Sequence, residues 1–421
     1  MAIPYRHGFL TLLLCCTLSA PAWGAGLWLY ERGTPEVGTA NAGVAARAED
    51  AATALSNPAG MTRLNTPQCL GSLQPLFLDV QFSPDSQTTT SGSSGNADGF
   101  IPGAGFFYVH PLGDRWRLGF SFASFFGLGV QYEDDWVGRY YVQESDFLTL
   151  SAAPTVAYKV NDWLSLGGGV GIVFAEYYSR AAVNNLSGSD GELQFGDKDI
   201  GIGGTLSVLV EPRKDTRFGL AYSSPVKLTF EDVPDFNGLG PGMSAILTGL
   251  GLVGSELNVE ITIPQTVMFS FFHDINSRWA VMGNIGWQDW SEFGQIPVSI
   301  SSTTSATVTQ DRNFDDTWHF ALGAHYRVHP QWRVTAGIAH DTSPVSDEDR
   351  TVDMALDRTW RYSAGLIWDY SKTLTLGFAY TFLDAGNAPI NQTRGPLAGT
   401  ISGEYSSNYV HIVGLSASYR F

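Results

Sequence analysis

Cysteine is almost absent from this chain: three in 421 residues, at positions 15, 16 and 69. Cys15 and Cys16 lie in an N-terminal apolar stretch expected to be removed, which leaves Cys69 alone. An intrachain disulfide and a cysteine-built metal site are thereby excluded. Basic charge is scarce as well. Lys and Arg total 24 against 41 Asp and Glu, a net charge of -17. Binding to nucleic acid needs a basic surface to neutralise phosphates, so that class is disfavoured. Long apolar runs are also missing. No segment reaches the roughly 20 residues that a membrane-crossing helix requires. Acidic runs such as Asp347, Glu348 and Asp349 read as solvated loops.

What is present is alternation. In the C-terminal stretch His411–Phe421, Val413, Leu415, Ala417, Tyr419 and Phe421 share one parity, and Gly414, Ser416, Ser418 and Arg420 the other. Successive strand side chains point to opposite faces, so this is a strand with one greasy and one wet side. The pattern recurs. Trp318, Phe320 and Leu322 oppose His319, Ala321 and Gly323, and Leu374, Leu376 and Phe378 oppose Thr375 and Gly377. A barrel with lipid outside has this signature, and its membrane signal is diluted because only alternate residues face lipid. Hydrophobic residues make up 44% of the chain, less than a helical membrane protein would carry.

Turn residues cluster at 111–114, 160–162, 212–215, 274–277, 329–330 and 369–371. Between them fall long connections at 127–146, 181–198, 231–256, 291–313, 341–357 and 384–405. Short periplasmic turns with long outer loops are the usual asymmetry of outer-membrane barrels. The hairpin rhythm predicts an all-β fold, a transmembrane antiparallel barrel of about 14 strands.

The N-terminus reads differently. Arg6 and His7 precede an uncharged apolar run, Phe9 to Leu18, and Ala22 and Gly24 are small. This predicts a signal peptide over 1–24, cut after Gly24 or, as second choice, Ala22. Residues 25–64 are rich in alanine and glycine and lack strand alternation. Ala45 to Leu55 is predicted as a short helix, and Asn57 and Pro58 as an N-cap followed by proline opening a second turn over 59–64. This segment is too small for its own core and is expected to pack inside the barrel of 65–421 as a helical hatch.

The loop 231–256 is not polar. Met243, Ile246, Leu247, Leu250 and Leu252 lie within it. It reads equally as a loop packed on its neighbours or as a hydrophobic landing surface for ligand. Catalytic groups are not assembled. His340 and Asp341 would point to opposite faces of a strand, so with Ser343 they form no triad. His319 and His325 would lie about 20 Å apart along a strand, too far to share a metal, and are expected to line a wet lumen. Gly167–Gly169 has no helix behind it and is no phosphate loop. No enzyme activity, metal or cofactor is expected.

The start of the hatch with Asn57, Pro58 and Ala59, together with Trp290–Phe293, Asp341–Val345, Asp357-Arg358 with Trp360, and the terminal Phe421, resembles the FadL/TodX family of outer-membrane hydrophobic-compound transporters. The resemblance implies a 14-stranded barrel plugged by the hatch, with passive transport of long-chain fatty acids or hydrocarbons. Ligand would be caught at outer loops, held in a pocket beside the hatch and released sideways at a kink in the third strand. That kink maps onto Ser124, Phe125, Phe126 and Gly127, with Gly99 opposite. The pocket maps onto Arg180, Phe314, Asp315 and Arg358. Asp315 stands where fatty-acid members carry a basic residue, and it would repel a carboxylate. Implied partners are the hydrophobic ligand, outer-membrane lipid and lipopolysaccharide, and the barrel assembly machinery through the C-terminal strand. A monomer in the bacterial outer membrane is expected. Other readings are a general porin, a barrel lipid hydrolase, and a receptor or adhesin built on the loops.

Overall fold

The structure, a computed structural model, describes residues 35–301 and 306–421. The expected signal peptide and residues 25–34 of the hatch lie outside the described residues. Fourteen strands form one closed antiparallel barrel. They are β1 Gln68–Pro84, β2 Gly99–Leu112, β3 Trp116–Gln131, β4 Glu144–Lys159, β5 Leu164–Val183, β6 Gly191–Arg213 and β7 Thr216–Ser223. There follow β8 Thr266–Asp274, β9 Trp279–Gln288, β10 Thr317–His329, β11 Trp332–Asp341, β12 Thr359–Asp369, β13 Leu374–Asp384 and β14 Thr400–Arg420. Closure comes from β1 pairing with β14, Gln68 against Arg420 through Pro84 against Gly403. The predicted fold class and strand number are borne out.

Parity separates lipid from lumen. On β10, Phe320 and Leu322 are 45% and 63% exposed while His319 and Ala321 are buried. Aromatic pairs ring the short-turn end, among them Trp116 with Tyr158 at 4.6 Å, Trp279 with Tyr326 at 4.4 Å and Trp332 with Trp368 at 5.0 Å between centroids. Such a belt marks the depth of the lipid headgroups. Some strands run further than their apolar alternation. The hairpin β5–β6 takes up most of 181–198, predicted as loop, because above the lipid band neither face has to be apolar. The outer connections also hold a second four-stranded sheet of Val226–Asp232, Glu256–Ile263, Gln295–Ser301 and Ala306–Asp311.

Residues 35–64 fill the lumen as two 3₁₀ turns, Pro35–Thr39 and Pro58–Arg63, and a single α turn, Thr53–Ser56. The helix predicted over Ala45–Leu55 is therefore replaced by irregular chain for most of its length. Ala48 has a positive φ of 45°. The charged residues around it are drawn to separate partners: Arg47 to Glu36 and Asp50, and Glu49 to Arg333 of β11 at 2.9 Å. These contacts outweigh helix propensity, which amounts to tenths of a kcal/mol per residue. The hatch lies close against the wall where the wall has no side chain. A Cβ on Gly219 of β7 would collide with the Ala45 carbonyl, and one on Gly337 of β11 with the Thr39 backbone. His319 and His325 are buried, not in a wet lumen as expected.

Candidate functional site

The ladder between β2 and β3 stops early. Its last pair is Gly105 with Ala123. Beyond it, Gly99–Ala104 pair only with β1, and Ser124–Gln131 only with β4. This leaves a seam in the barrel wall. On its β2 side Phe100 is 40% exposed and packs on Phe77 of β1 at 5.3 Å, so the seam borders lipid-facing apolar surface. Gly99, expected opposite the kink, is the first residue of β2 and pairs with Leu78.

The kink is a β-bulge. Ser124 pairs with Leu150 and Gly127 with Leu148, so Phe125 and Phe126 together oppose the single residue Thr149. The Thr149 hydroxyl fills the missing ladder position. Its Oγ1 accepts from the Phe126 N–H at 2.6 Å and donates to the Phe126 carbonyl at 2.7 Å. The bulge turns the buried Phe126 ring inward, within 5.8 Å of the rings of Phe147, Trp290 and Phe293.

Those rings pack together in a buried apolar cluster in the outer half of the barrel, the candidate chamber. Phe147, Val173 and Phe195 supply its wall, the outer sheet its ceiling through Val226, Phe230 and Ile261, and Trp290–Phe293 a short helix across it. No single strand carries this cluster, so strand periodicity gives no sign of it. Phe314 belongs to it, stacked on Phe293 at 6.4 Å. The other three expected pocket residues do not join it. Arg180 shares the outward parity of the exposed Phe174, and three carboxylates occupy its guanidinium: Asp134 at 2.9 Å, Glu192 at 3.2 Å and Glu144 at 3.4 Å. Arg358 is exposed and faces Asp384 at 3.8 Å. Asp315 is exposed, with its backbone N–H donated to the Pro344 carbonyl at 2.7 Å.

A charged pair close in sequence to the cluster members Phe314 and Met354 is one the sequence reading missed. Arg312 donates to Asp353 at 2.7 Å and to Thr351 at 2.9 Å. Burial alone would push the Asp353 carboxyl up; the Arg312 guanidinium outweighs it and holds the group well below the usual carboxylate range. In sequence, Arg312 was legible only as a lone cation amid acidic loop residues.

The apolar loop is a helix, Pro241–Gly249. Proline opens it, and Gly251 at φ 69° closes it. The Leu252 N–H reaches the Leu247 carbonyl and the Gly251 N–H the Thr248 carbonyl, both at 3.0 Å, a Schellman stop. Met243 is buried, Leu247 and Leu252 are half-buried, and Ile246 and Leu250 are exposed. The loop is thus packed on its neighbours and apolar outward at once. Asn185 ties it to the β5–β6 loop through Gly238 and Gly240, at 2.9 Å each.

The hatch floors the chamber side of the lumen. Asn57 does not cap its turn. It is fully buried, and its Nδ2 donates to Ala45 at 2.5 Å and to the Val208 carbonyl of β6 at 3.1 Å, pinning hatch to wall. The Ala59 N–H is held by Ser207 at 3.0 Å. The backbones of Pro58 and Ala59 lie against Gly167 of β5, where a Cβ would have no room. Burial alone would raise the Glu49 carboxyl; Arg333 and Arg47 outweigh it and hold it well below its ordinary range.

A long-chain fatty acid transport protein of Escherichia coli O6:H1 is 26% identical over 424 residues, covering 92% of this chain and 93% of that protein. Outer membrane protein P1 of Haemophilus influenzae is 24% identical, over 94% of this chain and 95% of its own. Among solved structures, a FadL homologue of Pseudomonas aeruginosa superposes with a TM-score of 0.84 at 20% identity, covering 94% of this chain and all of that one. The toluene transporter TbuX of Ralstonia pickettii gives 0.65 at 18% identity, over 88% of this chain and 94% of its own, and shares the fold. The family model described as outer membrane protein transport protein (OMPP1/FadL/TodX) matches residues 15–421, so this chain belongs to that family and is a β-barrel of the bacterial outer membrane.

Proposed function

We propose that this protein carries hydrophobic small molecules passively across the outer membrane, long-chain fatty acids or hydrocarbons being the substrate class. The helix Pro241–Gly249 offers apolar surface at the outer face, the Phe126–Trp290–Phe293 chamber holds the solute, and the seam between β2 and β3 releases it sideways into lipid. The observation that carries this reading is the unpaired seam beside a buried aromatic cluster, with Phe126 belonging to both. A hydrophobic solute crosses the lipopolysaccharide layer poorly but dissolves in hydrocarbon, so an apolar conduit needs neither ATP nor catalysis. A general porin fits less well, because the hatch occupies the lumen. The chamber's own lining carries no unpaired cation among the described residues, and Arg180 points away from it. This favours neutral hydrocarbons over carboxylates.

The test is uptake by cells lacking their own transporter and expressing this chain, with labelled oleate compared with toluene. Toluene entering faster than in control cells, with oleate at control level, supports the neutral class. Oleate entering faster instead reassigns the substrate to fatty acids. Failure of both to exceed control removes the transport reading.

A further inference from the structure

A cavity lies on the side of the hatch away from the aromatic cluster. It measures about 760 Å³ and opens at the periplasmic end, where the turn residues Gln331 and Lys372 and the penultimate Arg420 border it. Hatch residues Arg47–Asp50 and Arg63 form its inner end. The aromatic chamber contributes nothing to it.

Its charge is inverted relative to the whole molecule. The chain is strongly acidic at -17. The cavity is lined by Arg47, Arg63, Arg327, Arg333, Lys372 and Arg420, against the carboxylates Glu49, Asp50 and Asp369. Arg47 is paired with Glu36 and Asp50, Arg63 with Glu211, and Arg333 with Glu49. Arg327 reaches Asp369 only at 3.7 Å. Lys372 and Arg420 have no ion-pair partner among the described residues.

Polar groups deep in the lining are also left over. Ser418 is 6% exposed, and its Oγ has no partner among the described residues; nor do the Nε–H donors of Arg63 and Arg333. Buried polar groups are rarely left unbonded. Guanidinium and ammonium groups donate and cannot accept, so the complementary ligand is one rich in anionic oxygens. The volume lies in the range of small-molecule sites, about 300–1,000 Å³.

We propose that this periplasmic cavity binds a small polyanion of the phosphate or carboxylate class. Bound there, the anion bridges hatch cations to wall cations and holds the hatch against the barrel. The site is independent of which hydrophobic compound the chamber accepts.

The experiment is calorimetric titration of the full chain in nonionic detergent at low salt. Pyrophosphate and citrate are the probes, with hexaglutamate as a third arm. Saturable binding of pyrophosphate or citrate is expected. It should weaken about tenfold or more in Lys372→Gln/Arg420→Gln, as loss of charge-assisted contacts predicts. Arg213→Gln/Lys214→Gln removes equal charge from a turn outside the cavity and should leave binding intact. Lys372→Gln alone gives a partial loss if the double variant folds poorly, and heat-modified gel mobility reports folding. Absence of saturable binding, or equal loss in both double variants, overturns the proposal. Binding of hexaglutamate with neither small anion overturns the small-molecule assignment.

Discussion

Replacing Thr149 by valine keeps the side-chain shape and removes the one hydroxyl that closes the bulge of β3. In the wild type that oxygen accepts from and donates to the backbone of Phe126, at 2.6 and 2.7 Å. Thr149 is 6% exposed, so in the variant both Phe126 groups are left unbonded away from water. A buried polar group without its partner costs about 1–3 kcal/mol, which puts the pair at about 2–6 kcal/mol. At about 1.4 kcal/mol per factor of ten, the lower end is roughly a 30-fold shift toward the open state of this segment. Because β3 has no β2 partner beyond Ala123, the shift stays local to Ser124–Gln131. Amide hydrogen exchange on the micelle-bound protein reads it directly. The Phe126 amide and its neighbours should exchange faster by that factor, while amides of β10 and β11 stay as protected as before. Uptake should fall as the wall loses its fixed opening. Unchanged exchange at Phe126 would refute the role given to Thr149.

Three further outcomes are expected. Gly219→Val places side-chain atoms where the Ala45 carbonyl lies, so the hatch should be displaced and ion conductance in planar bilayers should rise above wild type. Arg180→Gln should leave oleate and toluene uptake unchanged, since that guanidinium faces outward onto Asp134, Glu144 and Glu192. The folded-state pKa of Asp353 is depressed, so its contribution is complete above the unfolded value of about 3.9 and is lost as pH falls below it. Protease resistance of the outer loop 342–358 should therefore drop on acidification below about pH 4. Asp353→Asn should lower that resistance at neutral pH and flatten its acid dependence.

The barrel was legible because lipid imposes parity. Trp318, Phe320 and Leu322 have one solvent and His319, Ala321 and Gly323 another, and the contrast repeats from hairpin to hairpin. Above the lipid band that constraint ends, so the extended tips of β5 and β6 and the four-stranded outer sheet left no periodic trace. Residues 35–64 stood out from the strands as a compositional break, but their local structure was not legible. Arg47, Glu49 and Asp50 find partners on different sides, and the Ala45–Leu55 helix yields to them. Arg180 was misplaced although parity was available: Val173 and Ala175 point inward, so position 180 must point outward. The chamber was legible only piecemeal, in Phe126, Phe314 and Trp290–Phe293. Its members converge from strands and loops far apart in sequence, and no local pattern links them.

The central claim, release through the seam, is tested by tying the seam shut. Continuing the Gly105–Ala123 register places Ile101 opposite Gly127. With Cys69 changed to serine, Ile101→Cys and Gly127→Cys are joined by a short bis-maleimide, and uptake of labelled toluene and oleate is compared before and after linkage. Wild-type uptake in the unlinked double variant and control-level uptake once linked is the result this account predicts. Transport at the wild-type rate through the linked protein would contradict it.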